Sequence, residues 1–230
     1  MALISPIYSF VRVAAGVLYP THCVLCDEWL SLEPTLPLCP GCHRKLPLAL
    51  PAASAEGLLP AGTAAFRIPS PLRYLGTAKK LIWKFKINHD PRAEKVLFHL
   101  MRDHLDLILP QLGCFDGVAC APTHRASGWL PDEGPSARIR DGLARFLGCP
   151  AVNLLKRIRT VPKQTSLSRA QRLTAASQSI ASSPVPLRAR ILVTDDVTTT
   201  GATAAECHRA LMAAGARETV FFSLAEGSGS

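Results

Sequence analysis

Ile191-Leu192-Val193-Thr194-Asp195-Asp196-Val197-Thr198-Thr199-Thr200-Gly201-Ala202-Thr203 decides how this chain is read. Three aliphatic residues form a buried-strand run, polarity rises abruptly at Thr194, and an alanine-rich helical pattern over residues 202–214 follows and closes on Gly215. A strand that passes through two carboxylates into a hydroxyl-rich bend and then a helix puts those carboxylates at the edge where open α/β sheets hold their ligands. The bend contains one glycine and no lysine, so its backbone amides and the helix N-terminus can surround a terminal monophosphate. A loop that grips bridging phosphates needs Gly-Lys-Ser/Thr, and a dinucleotide loop needs Gly-x-Gly-x-x-Gly; neither pattern occurs here. Ionised aspartate accepts hydrogen bonds, so Asp195 and Asp196 beside a phosphate cradle suit the 2- and 3-hydroxyls of a ribose 5-phosphate.

Outward from this stretch, short apolar runs alternate with helical patterns. Residues 117–121, 151–157, 191–197 and 219–224 read as strands, and residues 72–85, 91–109 and 136–147 as helices. Strands alternating with helices at this spacing predict an α/β fold, a doubly wound, mostly parallel sheet covered on both faces. Trp83 and Trp129 read as packing residues, and Cys114, Cys120, Cys149 and Cys207 as small buried apolar ones, with Cys120 at a strand end.

The second strong signal is N-terminal. Cys23, Cys26, Cys39 and Cys42 form C-x2-C-x12-C-x2-C, with Pro37, Pro40 and Gly41 turning the chain around the second pair. Four thiolates in two knuckles can converge tetrahedrally on Zn2+, and four sulfur ligands leave no position for water, so the site is structural. Residues 1–46 are therefore read as a short helix and a four-cysteine zinc module, 47–62 as a proline- and glycine-rich linker, and 63–230 as the α/β domain.

Lys and Arg total 26 against 17 Asp and Glu, a formal charge of +9, which suits anionic ligands or nucleic acid and equally serves solubility. With 48% apolar residues the composition excludes a disordered chain, and eight cysteines in 230 residues are too dilute for a disulfide scaffold. Residues 1–6 carry no positive charge beyond the amino terminus, and the apolar stretch 7–19 is broken by Arg12 and too short for a span. The expectation is a cytoplasmic protein with no membrane insertion.

Residues 191–203 resemble the phosphoribosyl pyrophosphate (PRPP) binding motif of type I phosphoribosyltransferases. A double CxxC module ahead of such a loop resembles the ComF family, associated with DNA uptake in naturally competent bacteria, and this resemblance spans almost the whole chain. Leu81-Ile82-Trp83-Lys84-Phe85-Lys86 is similar to that family's leucine-isoleucine, phenylalanine-lysine stretch, and Arg157, Thr160, Gln164, Leu167 and Arg172 match its arginine, threonine, glutamine, leucine and arginine signature. The family usually has a basic segment closing on arginine, glycine, phenylalanine and asparagine. Here the chain reads Ala121-Pro122-Thr123-His124-Arg125 and later Glu133-Gly134-Pro135-Ser136, and Ala175 stands where the family has an asparagine.

The resemblance implies a type I phosphoribosyltransferase-like fold, Asp195 and Asp196 on the ribose, and Thr198, Thr199, Thr200, Gly201, Ala202 and Thr203 on the 5-phosphate. It implies Lys86, Arg157 and Arg172 at the pyrophosphate, Mg2+ entering with PRPP, and Mg-dependent phosphoribosyl transfer. Thr199 occupies the loop position at which purine-type transferases carry an aspartate, so no catalytic base is assigned; His124, Asp132 and Glu133 lie on the preceding loop. Two alternatives stand beside the enzyme: a non-catalytic PRPP or nucleotide sensor, and a zinc-containing protein that binds single-stranded DNA or the DNA-uptake machinery. The second draws on the stretch 142–194, which holds nine Lys and Arg and no Asp or Glu, although it lacks the Trp and Tyr that accompany single-strand grooves.

Overall fold

The computed structural model describes residues 21–30, 35–49, 66–67, 70–122, 134–158 and 179–227. In chain order the described elements are α1 (Pro40–Arg44), β1 (Phe66–Arg67), β2 (Leu72–Arg73), α2 (Gly76–Lys86), α3 (Pro91–Leu112), β3 (Gly117–Cys120), α4 (Pro135–Leu147), β4 (Leu155–Arg157), β5 (Ile180–Ser182), β6 (Arg190–Thr198), α5 (Ala202–Ala213) and β7 (Glu218–Glu226).

β6 is central. It pairs in parallel with β7 along its whole length and with β3 from Ile191 to Thr194, while β1 and β2 lie one after the other on the far side of β7. All four pairings are parallel, and strands buried on both faces need apolar side chains in both directions. Ile191 and Val193 pack with Phe221 against Ala204, Cys207, Ala210 and Leu211 of α5. Leu192 faces the other way with Phe222 and Leu224, against Leu81, Ile82 and Phe85 of α2, Val96 and Leu97 of α3 and Leu143 of α4. Helices thus cover both faces, the expected doubly wound arrangement.

Local chemistry sets the helix ends. Asp90 caps α3, its carboxylate accepting from the Arg92 amide at 2.9 Å, with Pro91 at the first helical position. After α5, Gly215 adopts φ +106°, a conformation glycine takes without strain.

Several expectations are corrected. Leu72 and Arg73 are not helical: β7 offers them its edge at Ala225 and Glu226, and the Tyr74 amide donates to Glu226 O at 2.6 Å, so pairing overrides helical spacing and α2 starts at Gly76. Residues 151–157 are not one strand. Ala151 bridges Val118 beside β3, whereas β4 turns away and pairs antiparallel with β5 as a separate ribbon. α3 runs past residue 109 to Leu112, with Pro110 in its last turn. Trp83 is 54% exposed rather than packed, and Cys114 is exposed and Cys149 half-buried rather than buried. The N-terminal helix, Trp129, and His124, Asp132 and Glu133 lie outside the described residues.

The start of the expected linker is part of the fold. Arg73 N donates to Pro47 O and Ala49 N to Pro71 O, both at 2.9 Å, so residues 47–49 lie along β2. The cysteine module packs directly on the helices: Val24, Leu30, Leu38 and Leu46 join the α2–α3 core, and Thr77 Oγ1 donates to Lys45 O at 2.6 Å.

α3 and α4 meet at Gly142, where an added Cβ would stand 1.9 Å from Phe98 Cε1. Overpacking of this kind costs about 1–3 kcal/mol, against about 1 kcal/mol gained by alanine over glycine inside a helix. Gly142→Ala therefore lowers stability in urea unfolding, whereas in a Phe98→Ala background the same change raises it.

Candidate functional site

β3 ends at Cys120, opposite Thr194, and β6 runs on through Asp195, Asp196, Val197 and Thr198 with β7 still beside it at Ser223, Ala225 and Glu226. The acidic pair therefore stands at the carboxyl edge of the sheet, where one neighbour strand has stopped, the position at which open α/β sheets bind ligands. Asp196 is 6% exposed and its carboxylate forms an ion pair with Lys86, the last residue of α2. Asp195, half-buried, lines a hollow of about 50 Å3 together with Val197, Thr198, Thr199, Thr200, Gly201, Ala202, Thr203, Ala204 and Phe221.

The bend after β6 enters its helix without a side-chain cap at the N-cap residue. Gly201 sits at the N-cap of α5 with φ +76° and has no side chain to close the helix start; Thr200 Oγ1 accepts from Ala202 N at a long 3.4 Å. The first turn of a twelve-residue helix thus meets the hollow with its positive end. Beneath the bend, Gly227 N donates to Thr198 O at 2.7 Å, and a Cβ on Gly227 would stand 3.0 Å from Thr199 Cγ2.

Two hydroxyls flank Asp196 at a spacing of two, which strand alternation places on its face. Thr194 Oγ1 and Thr198 Oγ1 are buried and have no hydrogen-bond partner among the described residues. Leaving such a group unpaired costs about 1–3 kcal/mol, so both are spare donors at the sheet edge. Thr194 is not among the residues the sequence points to at this edge, although a polar residue two positions before Asp196 in an apolar run is the signal available.

Electrostatics bind the parts together. Burial pushes the Asp195 carboxyl well above the usual carboxylate range, and the adjacent Asp196 charge pushes it further, against the opposing pull of Lys86. Burial lowers the proton affinity of Lys86, but Asp196 and Asp195 more than offset this and hold the ammonium charged. Arg157, on β4, reaches the end of β3, donating to Pro122 O at 3.3 Å, and its buried Nε has no partner among the described residues. Arg172 lies outside the described residues, as do Thr160, Gln164 and Leu167. The structure thus brings Asp195, Asp196, residues 198–203 and Lys86 to one edge and places Arg157 at the neighbouring strand end.

The four N-terminal cysteines also converge. Their sulfurs lie within 4.8 Å of one another, with Cys26 Sγ and Cys39 Sγ 3.7 Å apart. Thiolates about 2.3 Å from a tetrahedral metal stand about 3.8 Å apart, so the set fits such an ion. Cys39 N points at Cys23 Sγ (3.4 Å) and Cys42 N at Cys39 Sγ (3.3 Å), amide bonds that stabilise thiolate charge. Burial raises the Cys23 thiol, but the amides of Cys39, Cys26 and Leu25 bring it down to about 7. Cys42 is pushed up by burial and by its neighbouring sulfurs, a penalty that a bound cation reverses. The turns expected around Pro40 and Gly41 are the short helix α1, with Cys39 at its N-cap.

No family profile and no curated protein matches the sequence. Among solved structures, the allosteric regulatory enzyme of purine biosynthesis is 25% identical, with a TM-score of 0.33 over 54% of this chain and 25% of its own. An adenine phosphoribosyltransferase is 16% identical, with a TM-score of 0.36 over 60% of this chain and 74% of its own. The chain thus spans about a quarter of the first of these proteins.

The state of Asp195 has a measurable consequence. Its folded pKa lies above the ordinary 3.8, so between the two values the native state holds a proton that the unfolded chain releases. Its contribution to stability therefore falls as pH rises from about 4. Asp195→Asn removes that loss: by calorimetric melting the variant is more stable than the parent at pH 7.5, and the gap narrows towards pH 4.

Proposed function

We propose that this chain binds PRPP with Mg2+ at the carboxyl edge of β6 and transfers its phosphoribosyl group, as a protein of the ComF type. The observation that carries the reading is the juxtaposition of Asp195 and Asp196 with a polar hollow framed by residues 198–204 and the open N-terminus of α5. In this reading the amides and hydroxyls of residues 198–203 receive the 5-phosphate. Asp195 and Asp196 accept from the ribose hydroxyls, which donate to carboxylate oxygens. Lys86, Arg157 and Arg172 attend the pyrophosphate, and Mg2+ arrives on those phosphate oxygens as part of the substrate.

Transfer breaks the anomeric C–O bond, its electron pair leaving with pyrophosphate, and forms a bond from the same carbon to the acceptor, whose proton passes to solvent or to the departing pyrophosphate. The chain holds the sugar and places cations where the leaving charge develops. Association with DNA uptake and a cytoplasmic site of action come with the ComF resemblance and the sequence expectations. In the N-terminal module, the fit of Cys23, Cys26, Cys39 and Cys42 to a tetrahedral ion supports structural Zn2+. That ion would tie two chain segments together and take no part in the reaction.

A charge-assisted hydrogen bond contributes about 1.5–3 kcal/mol, so Asp196→Asn weakens PRPP binding by about tenfold to a hundredfold in calorimetric titration. Parent affinity in that variant rejects the site. Pyrophosphate release from PRPP with one acceptor, in a panel of bases, amines and oligonucleotides, separates transfer from binding alone. Elemental analysis of reduced protein gives one zinc per chain, and stripping it with a chelator lowers the melting temperature. Metal-free protein with an unchanged melting temperature rules out a structural role.

A further inference from the structure

Lys86 holds the carboxylate on which the proposed sugar depends. α2 starts beside the last residues of β7, where Tyr74 N meets Glu226 O, and ends with Lys86 on Asp196, so the helix lies against the carboxyl edge of the sheet. The two partners differ in freedom. The Asp196 side chain is 8% exposed and fixed on β6, whereas the Lys86 side chain is 48% exposed at a helix end. Beyond it come Ile87, Asn88 and His89, the last at φ +51°, before Asp90 caps α3, so Lys86 stands at the very end of its helix. Asp196 Oδ1 accepts from Val197 N at 2.9 Å, and the neighbouring hydroxyls of Thr194 and Thr198 have no partner among the described residues. Lys86 is therefore the group a sugar must displace or share to reach Asp196.

We propose that Lys86 is a two-position cation that makes the site select sugars carrying an anomeric pyrophosphate. In the free protein it neutralises Asp196. A ligand with a pyrophosphate gives the ammonium a second anion, draws it away and leaves the carboxylate to the ribose hydroxyls. A ligand without one, such as ribose 5-phosphate, must break the same ion pair and offers the lysine nothing in return. Discrimination then arises from an element set against the wrong ligand as well as from contacts to the right one. This rests on the reading of Asp196 as a sugar ligand and adds the gate that controls it.

The test titrates ribose 5-phosphate and Mg-PRPP separately into the parent, Lys86→Gln, Lys86→Arg and Asp196→Asn, with thermal unfolding of each as a check on folding. Lys86→Gln is expected to bind ribose 5-phosphate several-fold more tightly than the parent and PRPP about tenfold more weakly, while Lys86→Arg keeps the parent's preference. A Lys86→Gln variant that shifts both ligands by one factor, or neither, overturns the gate. Asp196→Asn at parent affinity for both ligands overturns the sugar reading beneath it; weakening of both leaves that reading standing while the Lys86 result decides the gate. A measurement on the parent needs no variant. Inorganic pyrophosphate, by drawing off Lys86, is expected to tighten ribose 5-phosphate binding several-fold, a coupling that must be reciprocal. No coupling, or weakening, overturns the proposal.

Discussion

β6 outlasts β3, and the site depends on that inequality. Up to Thr194 the strand is hemmed by β3 and β7 and carries aliphatic side chains to both helical layers; from Asp195 onward it keeps β7 but has lost β3. Backbone pairing to β7 fixes the strand, and among the described residues no strand pairs with it on the β3 side beyond Thr194. Had β3 continued beside it, its own side chains would stand next to these carboxylates and hydroxyls on the sheet faces and crowd the approach to them. Thr194, Asp196 and Thr198 are more than nine-tenths buried, with Leu192 and Phe222 fully covered nearby on β6 and β7.

Much of this was legible in the order of residues. An apolar run that turns acidic and then hydroxyl-rich before an alanine helix has few readings, and β6, α5 and β7 follow it closely because their hydrophobic patterning and their tertiary environment agree. The errors fall where pairing, not local pattern, decides. Leu72 and Arg73 have helical spacing but were claimed by the edge of β7, and residues 151–157 look continuous yet are split between a bridge to Val118 and a ribbon with β5. Neither partner is near in sequence, so no local pattern announces it. Lys86 was picked out by resemblance, but its ion pair with Asp196 needed the path of α2 across the fold.

The cysteine module was legible as a metal-binding pattern and not as part of the main core. Val24, Leu30, Leu38 and Leu46 bury themselves among α2 and α3 residues, and residues 47–49 extend the contact along β2. α2 is therefore braced from two directions, by the cysteine module behind it and by the sheet beneath it, and it is this helix that delivers Lys86. The cysteine module and the sheet edge thus share one helix as a packing partner.

Gly227 gives the hydroxyl-rich bend a floor. Its amide grips Thr198 O and its bare α-carbon leaves just enough room for the Thr199 methyl. The path of the bend is thereby tied to the residue that follows β7, since any side chain there would have to push Thr199 aside.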